Sequence, residues 1–254
     1  MKYLSISVLY AFLALQSQDR LEEIVSKTDL RPQPEYITAQ ITLLYKDNNG
    51  KILDKRTLKY WRSWQNVNSE VMLLKFTSPE EVKNTSFFTA TDEGETSQMM
   101  FLPGLNKLIS IKKKKMRSPF MNSDFDIGDL KSWELAKNKN NFLYSTNGYY
   151  FIESIYTSVF YNQKMILKID KSSFFIDEIN FYENDCEHPS RIMKILDKKN
   201  DSGISFLTHV EMKSYDHCSG KIKSSSEIIF ENFDIKTEID PKIFTEEYIT
   251  NMEF

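Results

Sequence analysis

"EYITAQITLLYKDNNGKILDKRTLKYWRSW", residues 35–64, places two runs rich in Ile, Leu, Thr and Tyr on either side of Asp-Asn-Asn-Gly. β-Branched and aromatic residues favour strands, and Asn-Gly between two such runs is a strong hairpin signal. Comparable runs separated by turn residues follow along the chain to about residue 234. The sequence therefore predicts a mainly β fold, built as a large antiparallel meander with strands in nearest-neighbour order.

Helices are predicted at only a few places. Residues 17–30 carry Leu21, Ile24 and Val25 at the spacing of one helix face, and "RPQPE" (31–35) ends this short amphipathic helix. Ser123 is a candidate N-cap for a second helix, which Gly128 keeps short. The tail, residues 240–252, predicts a final short helix.

The bulk composition bounds the class of protein. The chain has 254 residues, of which 41% are hydrophobic and 13% aromatic, enough to line a core or a cavity. Its 33 basic and 36 acidic residues give a net charge of −3, so no overall positive charge attracts nucleic acid. We expect one domain over residues 18–254, since β-rich domains of this length are common.

The first 17 residues have the pattern of a signal peptide. A short positive start is followed by the apolar run "YLSISVLYAFLAL" and then by polar "QSQDR". That run is too short for an ordinary membrane-spanning helix. The sequence predicts export, with residues 1–17 removed; the alternative is a first core helix of a cytosolic protein. No later stretch approaches the ~20 apolar residues of a spanning helix, so an integral membrane protein is not expected.

Cys186 and Cys218 are the only cysteines. They lie at equal distances along the chain from the turn predicted near Asp201-Ser202, so the meander brings them to the same end of the sheet. An exported chain favours a disulfide between them. Two independent thiols, or a zinc site with His188 and His217, are the alternatives.

Residues 71–130 resemble the outer-membrane lipoprotein-sorting, LolA-like family. The first motif, a strand with a basic and an aromatic residue followed by a Ser-Pro turn, occurs here as Leu73, Leu74, Lys75, Phe76, Ser78, Pro79, Thr85 and Phe87. The second, a strand ending in Leu-Pro, occurs as Phe101, Leu102, Pro103 and Leu105. The third, which we call the signature segment, occurs as Arg117, Phe120, Met121, Ser123, Asp124, Phe125, Asp129 and Leu130. Asn84 and Asn122 stand where the family has glycine, and Asn also accepts left-handed backbone geometry.

The resemblance implies a half-open antiparallel β-barrel of about ten or eleven strands, with short helices plugging its mouth. It implies a periplasmic carrier or chaperone that shields lipoprotein acyl chains or other lipid on the way to the outer membrane, with an inner-membrane transporter or exporter as a further partner. Flexible Met and aromatic side chains suit such a cavity. The candidate lining residues are Trp61, Trp64, Met72, Leu74, Phe76, Phe87, Met99 and Phe101.

A different class of function uses the same fold. In this alternative, the concave face binds an envelope protein as an interaction or sensor module and carries no lipid. No nucleophile, phosphate-loop or zinc-protease motif occurs, so neither an enzyme nor a cofactor is expected.

"MRSPFMNSDFDIGDL", residues 116–130, contains three aspartates that could suggest a metal site. The further ligands of a calcium loop are absent from this pattern, so no metal is predicted. We interpret the stretch as a turn leading into a helix over the cavity, fixed by a pair between Arg117 and Asp124. The neighbouring basic run at 112–117 is either a patch for lipid phosphates or a solvated edge strand.

Overall fold

The computed structural model describes residues 18–66, 68–93, 95–130, 134–157, 162–183, 187–216 and 219–252. The predicted signal peptide, His217 and both cysteines lie outside these residues, so the disulfide and its zinc alternative stay predictions. Among the described residues no helix is long and apolar enough to cross a membrane.

The described residues form one antiparallel sheet of thirteen strands. The strands are β1 (Tyr36–Asp47), β2 (Ile52–Asn66), β3 (Ser69–Ser78), β4 (Ser86–Asp92), β5 (Glu95–Leu102), β6 (Lys107–Ser110), β7 (Lys139–Ser145), β8 (Tyr149–Thr157), β9 (Asn162–Asp170), β10 (Ile176–Tyr182), β11 (Arg191–Asp201), β12 (Ile204–Tyr215) and β13 (Ile222–Asp234).

The order across the sheet runs from β6 down to β1, then from β13 down to β7. Every neighbouring pair is therefore consecutive in the chain except β1 and β13, and β6 and β7 are the two edges of an open sheet. The predicted mainly β, half-open fold and its nearest-neighbour order are confirmed. The sheet has thirteen strands where about ten or eleven are predicted. One of the additional strands, β7, is a largely exposed edge strand that lacks a clear apolar pattern.

Helices are short, as predicted. The first, α1, spans residues 18–29 and buries Leu21, Ile24 and Val25 against one half of the sheet. The second, α2 (Glu246–Thr250), follows a 3-10 turn at Pro241–Phe244. We call residues 111–130 and 134–138, which link the two edge strands, the inner segment, and residues 239–252 the outer segment.

The two faces of the sheet are covered by different parts of the chain. The inner face carries Leu74 and Ile179, and it packs against α1 and the inner segment. The outer face of β3–β5 carries Leu73, Phe88 and Phe101, which pack against Ile249 of the outer segment. Side chains alternate between the two faces along a strand. A strand that is apolar on both faces therefore needs another part of the chain packed against each face.

Asn84 and Asn122 both adopt positive φ, of 64° and 63°. The left-handed geometry predicted for these two positions, where the family has glycine, is therefore confirmed. Gly128 is retained for a different reason: a Cβ there would lie 3.1 Å from the carbonyl oxygen of Met116, to which the Gly128 N–H donates.

Candidate functional site

A cavity of about 260 Å³ lies on the inner side of the sheet. This volume is slightly below the usual range of about 300–1,000 Å³ for ligand pockets. Strands from both halves of the sheet, the inner segment and the residues that follow α1 all contribute to its wall. The lining residues are Thr28, Asp29, Arg31, Gln33, Ile37, Ile41, Tyr60, Arg62, Trp64, Glu70, Met72, Leu74, Phe125, Asp129, Leu130, Phe175, Ile176, Ile179, Met193, Ile195, Phe206, Leu207, Val210, Ile228, Phe230 and Phe233.

Most of the wall is aliphatic or aromatic, and two of its five charged residues, Arg62 and Glu70, lie near the end of β2 and the start of β3. Arg62 donates from Nε to Glu70 Oε1 at 3.0 Å and from Nη1 to Gln33 Oε1 at 2.9 Å. Both Arg62 and Glu70 are buried. Burial by itself lowers the pKa of Arg62, but attraction to Glu70 and Tyr60, together with the hydrogen bond to Glu70, raises it overall. Arg62 and Glu70 form a neutral buried pair.

Three of the eight predicted lining residues, Trp64, Met72 and Leu74, lie on the cavity wall. Phe76 and Phe87 also face inward, but they are buried beneath Phe120, whose ring centroid lies 6.1 Å and 5.3 Å from theirs. The inner segment thus separates these two rings from the cavity.

The other three, Trp61, Met99 and Phe101, belong to the outer face, where they pack with the outer segment. The predicted position of these residues in the lumen is corrected. The reason is strand parity: Trp61 alternates with the inward-facing Tyr60 and Arg62, and Phe101 lies opposite Leu108 of the outer face. Whether Trp64, Met72 and Leu74 contact lipid stays a prediction.

The signature segment enters the inner side of the sheet as two single turns, Phe120–Asn122 and Ile127–Leu130. Ser123 Oγ donates to the carbonyl oxygen of Phe120 at 2.6 Å, and Phe125 is buried at the cavity wall. Asp129 Oδ2 accepts the backbone N–H of Asp126 at 2.7 Å. The predicted helix over the cavity is therefore a single 3-10 turn.

The predicted pair of Arg117 with Asp124 is replaced by other partners. Arg117 forms an ion pair with Glu183, and about a third of each of these side chains is exposed. The Asp124 carboxylate accepts hydrogen bonds from Ser224 Oγ at 2.5 Å and Ser226 Oγ at 2.7 Å, both on β13. The predicted pair is therefore wrong: Asp124 is buried, but its side-chain partners are two hydroxyl groups of β13.

The arginine that holds the signature segment is Arg191 of β11. Its guanidinium contacts Asp129 Oδ2 at 2.5 Å and Asp126 Oδ2 at 2.9 Å, and Nη1 also donates to the carbonyl oxygen of Asp124 at 3.2 Å. Burial raises the pKa of Asp126 to about 6, despite the attraction of Arg191. Asp126 and Asp129 share one buried cation, so ionising both carboxylates is less favourable than ionising one of them.

The run of lysines at 112–115 is exposed, and residues 113–115 form a single turn just beyond edge strand β6. Of the two alternatives for this run, the edge strand is wrong, because β6 ends at Ser110. A patch for lipid phosphates stays a prediction. Within the described ranges, no three His, Cys, Asp or Glu side chains are placed to hold a metal ion.

The fold resembles three solved structures over almost their whole length. A domain described as an outer membrane lipoprotein-sorting protein domain, from Vibrio parahaemolyticus, superposes with a TM-score of 0.79 at 18% identity, covering 94% of this chain and 100% of its own. A DUF1329 family protein from Desulfovibrio piger gives a TM-score of 0.76 at 14% identity, with coverages of 89% and 96%. A LolA superfamily protein from Nitrosomonas europaea gives 0.66 at 17%, with 90% and 98%.

The fold is thus that of the LolA-like, outer-membrane lipoprotein-sorting proteins, as the sequence motifs predict. The chain itself belongs to the family described as "Uncharacterized protein", whose model matches residues 68–251. No curated protein matches the sequence.

Proposed function

We propose that this protein is a periplasmic carrier that holds lipoprotein acyl chains or other lipid in its inner cavity. The observation that carries the proposal is the cavity itself: a partly open space whose wall is mostly aliphatic and aromatic, on the inner side of a LolA-like sheet. Removing lipid chains from water yields ~0.8 kcal/mol per CH₂. A carrier needs this apolar space and no catalytic group.

The arrangement of the inner segment favours lipid over a protein partner on the concave face. Phe120 and Ile127 pack against one half of the sheet, and Phe125 and Leu135 pack against the other. A partner protein would have to displace these buried side chains, whereas a lipid chain fits the space beneath them. Export and a role in lipoprotein sorting belong to the same proposal.

Uptake of a fluorescent fatty acid by the delipidated protein tests the carrier function. Ile195→Trp should weaken binding about tenfold or more, because Ile195 lines the cavity and the indole would fill part of it. Leu196→Trp is the matched control, since Leu196 is the next residue on β11, is 48% exposed and should leave binding unchanged. A delipidated protein that takes up no fatty acid, phospholipid or acylated peptide overturns the proposal.

A further inference from the structure

One cation on the cavity wall, Arg31, has no partner of opposite charge among the described residues. Arg31 follows α1, lines the cavity and is half-buried. Its Nη1 donates to the carbonyl oxygen of Ser205 at 3.3 Å, and its Cζ lies 4.3 Å from the ring centroid of Phe175. Within the described part of the chain, it forms no ion pair with a carboxylate.

The other charges of the cavity wall are already engaged. Glu70 pairs with Arg62, and Asp129 pairs with Arg191. Asp29 accepts the backbone N–H groups of Leu135 and Ala136 at 2.9 Å and 2.8 Å. Each acid on the wall therefore has another partner, and Arg31 remains as an extra positive charge.

The surroundings of Arg31 make that charge costly. Burial, and then repulsion by the like charge of Arg62, lower the pKa of Arg31 to about 10, so the side chain is still a cation at neutral pH. A guanidinium offers five N–H donors, and one carbonyl oxygen and one aromatic face leave most of them for another acceptor. A partly desolvated cation without a counter-charge gains most from an anionic ligand.

We infer that Arg31 binds the anionic headgroup, a carboxylate or a phosphate, of an amphiphile whose chain occupies the apolar part of the cavity. The inference rests on the proposed carrier function and adds the class of ligand. The planar guanidinium suits two parallel hydrogen bonds to either headgroup, and Phe175 supports it from one side. The chain would extend toward the apolar residues Leu74, Ile179, Met193, Val210 and Ile228.

Calorimetric titration of the delipidated full chain with four ligands tests this inference. The ligands are dodecanoate, dodecyl phosphate, neutral dodecanol and inorganic phosphate. Arg31→Gln should weaken both anionic amphiphiles about tenfold or more, because a charge-assisted hydrogen bond is lost. It should change dodecanol binding by less than about twofold, since the apolar wall is intact.

Arg20→Gln is the matched control. It removes the same charge from α1 at an exposed site, where Arg20 lies over Phe142 and Tyr150 outside the cavity. All four affinities should stay at their wild-type values. Arg31→Lys keeps the charge but lacks the planar fork for two parallel hydrogen bonds, so it should measurably weaken both anionic amphiphiles, although by less than Arg31→Gln does, and leave dodecanol binding unchanged. If Arg31→Gln does not fold, Arg31→Lys alone tests whether Arg31 binds the headgroup.

The outcomes separate the two proposals. If Arg31→Gln weakens dodecanol as much as the two anions, or if Arg31→Lys binds both anions as tightly as wild type, the headgroup site is overturned and the carrier function stands. If inorganic phosphate binds as tightly as dodecyl phosphate, the site takes a free anion and the inference of an amphiphile fails. If wild type binds none of the three dodecyl compounds, the carrier function fails.

Discussion

The inner and outer segments each cover one face of the same sheet, but the polar contacts that hold them differ. The outer segment is held by apolar packing, with Ile249 buried against Leu73, Phe88 and Phe101. Its backbone carbonyls are tied to the sheet by Lys75 Nζ, which donates to the oxygens of Tyr248 and Asn251 at 3.2 Å and 2.5 Å. The outer segment thus packs directly on the apolar side chains of the sheet.

The inner segment adds a buried polar network to its apolar contacts. Arg191 holds Asp126 and Asp129, while Ser224 and Ser226 hold Asp124. Such contacts are directional, so they set the height of the segment above the sheet as well as its position along it. A segment fixed in this way can roof a cavity that its own side chains do not fill.

The largest effect is expected from Arg191→Ala. Removing the guanidinium leaves two buried carboxylates without their cation, and breaking a buried pair from one side costs about 3–5 kcal/mol. Urea denaturation should show this loss in the free energy of unfolding. Lys83→Ala is the control, because its exposed pair with Glu80 is worth under about 1 kcal/mol. Equal losses in the two variants would refute the role given to Arg191.

A smaller effect is expected from Ile249→Ala in the outer segment. Truncating this buried side chain, which is 1% exposed, should cost about 2–4 kcal/mol through lost burial and a cavity. Fatty-acid binding, measured well below the unfolding transition, should stay at the wild-type value because Ile249 contacts the opposite face. Met252→Ala, at a 51% exposed position, should change stability by less than about 0.5 kcal/mol. Weaker ligand binding by Ile249→Ala would contradict the separation of the two faces.

The sequence predicts most of the fold because its signals are local. The Asn-Gly hairpin, the alternating runs, the amphipathic stretch at 17–30 and the two asparagines at left-handed positions all act within a few residues. The face of a strand is harder to predict here. β3 is buried at six of its ten positions, so apolar alternation does not distinguish Leu73 from Leu74.

The site depends on contacts between residues far apart in the chain, which no local pattern reveals. Arg191 is 62 residues from Asp129, and Ser224 is 100 residues from Asp124. Arg31 stands in a Pro-rich stretch that is typical of a solvated loop, and only its position against Phe175 shows that it belongs to the cavity. The three aspartates of the signature segment can be recognised as candidate site residues from the sequence, whereas their partners on β11 and β13 cannot.

The smallest effect, and the finest test of the inner network, concerns Asp126. Its pKa is raised to about 6 from an ordinary value of 3.8. Between these two pH values the folded state therefore binds more protons than the unfolded state, so the contribution of Asp126 to the free energy of unfolding increases as pH falls from 7 toward 4. At pH 7 the charged form costs stability, and Asp126→Asn removes that cost while keeping an oxygen that can accept from Arg191.

We expect Asp126→Asn to change the free energy of unfolding by less than about 1 kcal/mol at pH 7. As pH falls from 7 to 5, the free energy of unfolding of wild type should increase relative to that of Asp126→Asn, because only wild type has the Asp126 carboxylate that takes up a proton. Asp129→Asn is the matched control, since it weakens the 2.5 Å contact with Arg191 and the acceptor for the Asp126 N–H, and it should destabilise the fold more. Denaturation curves at pH 5, 6 and 7 measure both differences. A difference between wild type and Asp126→Asn that stays constant with pH would show that Asp126 is fully ionised beside Arg191, and that the inner segment is held by two equivalent ion pairs.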